Sequence, residues 1–196
     1  MKPLRIVFLS GSLGVNARAD RLSQWCARRA AACGAGTTVF RGEDLEFPMY
    51  RPDRPERTER QRLFVEALAG ADGVVTISPS YHGTPSGLLK NALDYLNDLG
   101  DDPRPFLDGR AIGCVAIAGG EQGAVSTLNT LRAIGHAMRA WPVPLGVTLS
   151  GERANLAADG APLDPAAAHH LEIMLGQVLA LATTATFRDR AATAPA

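Results

Sequence analysis

Three short stretches of this chain hold the residues that let backbone and hydroxyl groups meet a ligand. Ser10-Gly11-Ser12-Leu13-Gly14 precedes a helix signal that opens at Arg18. A loop feeding a helix N-terminus offers unpaired N–H groups and the positive end of the helix dipole, which suits a phosphate. Ser10 and Ser12 add hydroxyl donors, and Arg18 can add a guanidinium fork. This is neither a Walker loop nor a dinucleotide fingerprint, because no Gly-Lys-Ser/Thr follows and a third glycine is missing. The second stretch, Ser78-Pro79-Ser80-Tyr81-His82-Gly83, presents an aromatic and an imidazole on a backbone shaped by proline and glycine. The third, from Ala118 to Gly123, sets Gly119 beside Gly120, where backbone can come close to a flat ligand. Each stretch also has a plainer reading, as a serine-capped or glycine-bearing turn.

These loops need elements to hold them, and the chain alternates strand and helix signals throughout. Strands are expected over 4–9, 37–40, 73–77, 111–118 and 143–149. Helices are expected over 18–32, 56–68, 86–99, 123–138 and 165–181. Thr84 is expected to cap the third helix, with Pro85 at its first position. That helix lines up Leu89, Ala92, Leu93, Leu96 and Leu99 on one face. Five β/α units imply a doubly covered α/β fold with a five-stranded parallel sheet. The first and third strands are the most apolar, as central strands buried on both faces should be. An order of 2-1-3-4-5 puts the binding crevice where the chain reverses direction, between the first and third strands. All three loops then sit at one sheet edge, one suited to a phosphate and two to a ring. That footprint is mononucleotide-sized, and FMN matches it best.

The chain of 196 residues balances 20 basic against 20 acidic side chains. Such a balance gives no long-range field for nucleic acid or a membrane surface. Neither a signal peptide nor a membrane span is expected, so the chain reads as soluble and cytoplasmic. One domain is expected over residues 1–185, with 186–196 as a flexible tail. The odd set Cys26, Cys33 and Cys114 reads as reduced structural thiols. A disulfide between Cys26 and Cys33 would have to span about 10 Å of helix. The long connection 45–62 mixes Arg51, Arg54, Arg57, Arg60 and Arg62 with Asp53, Glu56 and Glu59. It reads as a self-paired, solvated face, the other reading being a grip on a second ligand's phosphate. No metal site is expected, since His169 and His170 lack partners at ligand spacing.

Four sequence blocks resemble the NADPH-dependent FMN reductase family: Gly11-Ser12-Leu13, Phe47-Pro48-Met49-Tyr50, the run from Pro79 through Asp94, and Gly119-Gly120. The resemblance covers about residues 4–150, and the third block is its most specific part. It implies a flavodoxin-like three-layer sandwich, with FMN and NAD(P)H as cofactors and a homodimer or homotetramer as the assembly. It further implies that Ser10 and Ser12 face the FMN phosphate. Pro79, Ser80, Tyr81, His82 and Gly83 would hold the isoalloxazine ring, and Gly119 and Gly120 its pyrimidine edge. The chain departs from the family pattern in two places. The family carries Arg after Gly-Ser-Leu and Ser three positions beyond, where Gly14 and Ala17 stand here. Arg18 is the candidate replacement, and Asp20 nearby would oppose a dianion unless turned away. His82 stands where many members have Asn.

The chemistry implied is hydride transfer from nicotinamide to flavin and on to an acceptor. That acceptor is a small molecule such as a quinone or azo compound, or the flavin is handed to a flavin-dependent monooxygenase. No side-chain acid or base is required, so no catalytic residue is assigned. Two alternatives have a different character. One is a flavodoxin-like electron carrier, which is usually far more acidic than this chain. The other is a relative that has lost its phosphate grip and serves as a partner subunit. Leu128, Leu131, Ile134, Met138 and Trp141 recur at helical spacing, as core positions or as an oligomer seam.

Overall fold

The computed structural model describes residues 3–14 and 16–184, so the tail expected over 186–196 lies outside the described residues. In chain order the first half holds β1 (Arg5–Ser10), α1 (Arg18–Ala32), β2 (Gly36–Phe40), α2 (Glu59–Ala69) and β3 (Gly73–Tyr81). There follow β4 (Thr84–Pro85), α3 (Gly87–Asp94), β5 (Ala111–Ala118) and α4 (Glu121–Ala137). The chain then forms β6 (Trp141–Pro142), β7 (Val147–Ser150) and α5 (Pro165–Thr183).

The main sheet is parallel and runs β2-β1-β3-β5-β6, with β7 also pairing with β5. Since β6 and β7 are successive pieces of one outer strand, five strand positions follow the flavodoxin-like order 2-1-3-4-5. Counted as strands there are seven, not five. The outer strand breaks because Pro144 has no N–H to give the ladder, while the Leu145 N–H turns to Gln177 Oε1 at 2.9 Å. The seventh is β4, an antiparallel arm on β3.

Strand alternation divides the core into two layers. Ile6, Phe8, Val75, Ile77, Val115 and Ile117 face α1 and α5, packing with Leu22, Trp25, Leu171 and Met174. Val7, Leu9, Val74, Ile112 and Cys114 face the other way, toward Phe64, Leu68, Leu89, Leu93 and Leu131 of α2, α3 and α4. Gly113 lets α5 come close to the sheet, since a Cβ there would lie 2.3 Å from Met174 Sδ. The expected stripe divides: on α4 Leu131 is buried and Leu128 and Ile134 are half-buried, Met138 just past its end is buried, and Trp141 belongs to β6 and is exposed.

The start of α3 differs from the expected one. Its cap is Ser86, whose Oγ accepts from the Leu89 N–H at 3.2 Å, while Thr84 and Pro85 belong to β4. The helix gives way after Asp94 to a 3-10 turn, Tyr95–Leu99, yet all five expected apolar positions are buried. The N-terminus of α2 is later than expected, at Glu59. Thr58 sets it by a capping box with Gln61. In the connection before it, Arg51 pairs with Asp53. Arg57 grips Asp98 with two nitrogens and lies over the rings of Tyr50 and Tyr95. Burial and the neighbouring Asp98 push the Tyr50 phenol above its ordinary range.

Candidate functional site

The carboxyl ends of β1, β3 and β5 bring the three loops together around a cavity of about 270 Å³. Six of the ten expected site residues line it: Ser12, Arg18, Pro79, Ser80, Tyr81 and Gly119. Gly120 is the N-cap of α4, and His82 and Gly83 form the tip of the hairpin beyond Tyr81. Ser10 sits at the end of β1 with no exposed surface. Its Oγ is buried with no hydrogen-bond partner in the described structure.

Two helices point their N-termini at this edge without side-chain caps. In α1 the first intrahelical bond runs from the Arg21 N–H to the Ala17 carbonyl at 3.0 Å. The N–H groups of Arg18, Ala19 and Asp20 precede it and lack intrahelical acceptors. In α4 the first such bond is from Ala124 to Gly120 at 3.2 Å. The Gly11 N–H is engaged differently, donating to the Ile77 carbonyl at 2.8 Å. A Cβ built on Gly119 or Gly120 would meet nothing within 4 Å, so both backbones are open to a close approach.

The loop after β3 is a β-hairpin, which the sequence expectation did not include. Ser80 pairs with Pro85 and Tyr81 with Thr84. His82 at φ 53° and Gly83 at φ 80° make the two-residue turn between them. Two positive φ angles in a row are the mark of a type I′ turn, whose first position favours Asn and tolerates His. The His-for-Asn departure therefore meets the same backbone demand. Side chains from α4 fasten this hairpin. Ser126 Oγ donates to the Gly83 carbonyl at 2.7 Å, and Thr127 Oγ1 donates to Ser80 Oγ at 2.8 Å. Ser80 Oγ in turn donates to the Gly123 carbonyl at 3.0 Å, so its hydroxyl holds the scaffold. Tyr81 is 56% exposed and places its ring at the cavity rim.

The third family-like block also acts at a distance. Asn91 Nδ2 donates to the Phe47 and Pro48 carbonyls, both at 3.0 Å. Its Oδ1 accepts from the Tyr50 N–H at 2.9 Å. One buried amide thus clamps the segment Phe47-Pro48-Met49-Tyr50 against α3. Lys90 and Asp94 form the surface pair that their spacing suggests.

Asp20 is turned into a neighbouring cavity and ion-paired. Its Oδ2 lies 3.0 Å from Arg41 Nη1, and its Oδ1 accepts from Gln24 Nε2 at 3.3 Å. Nothing local in the sequence announces Arg41, which comes from the turn after β2. Among the described residues no cluster of His, Cys, Asp and Glu could hold a metal ion. No helix there is long and apolar enough to cross a membrane.

These residues fit a flavin mononucleotide. An orphaned serine hydroxyl, an uncapped helix end and Arg18 suit a phosphate, and two open glycines suit a planar ring.

Comparison with known proteins points the same way. A family model described as NADPH-dependent FMN reductase matches residues 4–154. The chain is 34% identical over 133 residues to an NADPH azoreductase of Bacillus sp. strain OY1-2, covering 63% of this chain and 71% of that protein. It is 31% identical over 144 residues to the NADPH-dependent FMN reductase ArsH of Shigella flexneri, covering 72% of this chain. The match takes in 54% of that relative, so the chain spans about half of its length. A solved apo structure of an NADH:FMN oxidoreductase superposes with a TM-score of 0.73 at 20% identity, covering 94% of each chain, which speaks to the fold.

Proposed function

The chain belongs to the NADPH-dependent FMN reductase family, and from that premise we propose that it uses NADPH and FMN to reduce a small planar acceptor, an azo compound or a quinone. The observation that carries the reading is the convergence of Ser12, Arg18, Tyr81 and Gly119 on one cavity at the carboxyl edge of the sheet.

FMN, when bound, supplies the ability to take a hydride from nicotinamide and give it to an acceptor. The chain's own residues bind and orient. Ser10, Ser12, Arg18 and the first N–H groups of α1 hold the phosphate. Pro79, Tyr81, His82 and Gly83 support the ring from the hairpin, with the Ser80 backbone between them. Gly119 and Gly120 offer N–H donors at the ring's polar edge, where they favour negative charge. Hydride transfer needs two rings in near contact, and the exposed Tyr81 ring gives a planar acceptor a surface on which to settle. No side chain is assigned as an acid or base.

The azo preference rests on the Bacillus relative. Its test is steady-state NADPH oxidation by purified protein with FMN present, first with oxygen alone, then with an azo dye or a quinone. Acceptor-dependent NADPH consumption with dye bleaching is expected. Tight FMN binding with no NADPH oxidation would instead mark an electron carrier, although the neutral charge of the chain argues against one.

A further inference from the structure

We infer that the Arg41–Asp20 ion pair sets how well the N-terminus of α1 accepts the FMN phosphate, with Arg41 as a positioning residue. This rests on the reading that the phosphate binds at that helix end.

Asp20 is the third residue of α1 and only 6% exposed. A carboxylate in the first turn is drawn to the same partial positive charge that an incoming anion uses. Left unpaired, it would occupy that field itself and repel a dianion at short range. The described structure removes this conflict with a residue from another element. Arg41 reaches Asp20 Oδ2 at 3.0 Å, and Gln24 satisfies Oδ1 at 3.3 Å.

The backbone that carries Arg41 is held by its own turn, while the half-exposed guanidinium is fixed by Asp20 itself. The Arg41 backbone N–H donates to Asp44 Oδ2 at 3.2 Å, and Gly42 follows with φ at 50°. The pair lines a cavity of about 310 Å³ together with Ser12, Gly14, Glu43 and Asp44. Ser12 also lines the 270 Å³ cavity, so it stands between the ion pair and the proposed phosphate position. Arg41 is the one cation lining the larger cavity among the described residues, against three carboxylates. Removing it leaves a nearly buried negative charge uncompensated at the phosphate's end of the helix.

The pair also accounts for a loop without the family's arginine after Gly-Ser-Leu. Here the missing positive charge is supplied in two parts. Arg18 lines the phosphate-side cavity, and Arg41 cancels the one acid in the first turn of α1.

The experiment is a fluorescence titration of flavin-free protein with FMN and with riboflavin. It compares wild type, Arg41→Gln, Asp20→Asn and the double variant at one ionic strength. The expected results are FMN preference in wild type and an approximately tenfold weaker FMN affinity in Arg41→Gln, with riboflavin unchanged. Asp20→Asn is expected to bind FMN more tightly than wild type. The double variant should return to within about twofold of wild type, because losing both members of a cancelling pair leaves the net charge at that end unchanged.

Several results would overturn the inference. A double variant as weak as Arg41→Gln would mean that Arg41 meets the phosphate itself. Equal weakening of both flavins would make its role merely structural, and unchanged FMN preference in Arg41→Gln would remove it altogether. Should Arg41→Gln not fold, weaker FMN binding by Asp20→Asn would be enough to refute it. Wild type that binds both flavins alike would refute the phosphate reading, and this inference with it.

Discussion

Ser126 Oγ donates to the Gly83 carbonyl at 2.7 Å, joining α4 to the tip of a hairpin 43 residues away. The loop after β3 is thereby fixed from the same helix whose N-cap is Gly120. A shift of α4 would carry both proposed ring contacts together. Ser126→Ala is expected to cost about 1 kcal/mol of stability and weaken FMN binding several-fold. Urea unfolding and a flavin titration on the same preparation check this. Unchanged flavin affinity would mean that the β3–β4 ladder alone holds the hairpin.

The turn itself makes a second prediction. His82 and Gly83 both sit at positive φ. His82→Asn is expected to leave stability within about 0.5 kcal/mol, because Asn accepts the left-handed region readily. His82→Val should cost about 1–2 kcal/mol, since a β-branched side chain does not. Thermal melts of the two variants separate this backbone role from any role of the imidazole. Equal melting would contradict it.

Asn91 makes three hydrogen bonds to the Phe47–Tyr50 segment from a site that is 7% exposed. Asn91→Ala leaves two carbonyls and one N–H without that partner, and about 2–3 kcal/mol of destabilisation is expected. Asn91→Asp should do no better, because a carboxylate cannot donate to the two carbonyls. Denaturant midpoints test this, and a loss below about 0.5 kcal/mol for Asn91→Ala would show that the clamp carries little of the load.

The thiols predict a pH dependence. Burial pushes Cys114 up to about 11 and Cys26 higher still, whereas Cys33 is exposed. Only Cys33 should react with a thiol reagent at pH 8 in the native state, and all three after unfolding. As pH rises from about 9 toward 11, the unfolded chain loses thiol protons that the folded chain keeps. Stability should therefore fall across that window, and urea midpoints at pH 7 and pH 10 measure the slope. Reaction of three native thiols at pH 8 would contradict the burial argument.

The sheet order and the three loops could be read from the chain because apolar runs and punctuating glycines are local signals. Strand periodicity placed β1, β3 and β5 to within a few residues, and Pro79, Ser80 and Tyr81 do lie at the carboxyl end of β3, lining the 270 Å³ cavity. The hairpin stayed hidden because nothing in Thr84-Pro85-Ser86 says which hydroxyl caps α3. Pro85 suits a helix start as well as an edge strand, and the ladder to Ser80 decided between them. Of the strand expected over 143–149 only the β7 part forms, because Pro144 and Gly146 interrupt the apolar run and β6 lies ahead of it. The pairs Asp20–Arg41, Thr127–Ser80 and Ser126–Gly83 join residues at least 21 positions apart, and no spacing rule reaches that far.

The central claim is that this chain passes reducing equivalents from NADPH through bound FMN. It is tested most directly by mixing FMN-loaded protein with one equivalent of NADPH in the absence of oxygen and following the flavin colour. Rapid bleaching, with one NADPH consumed per FMN, is the predicted result. FMN that stays yellow while remaining bound, or protein that retains no FMN at all, would contradict the account.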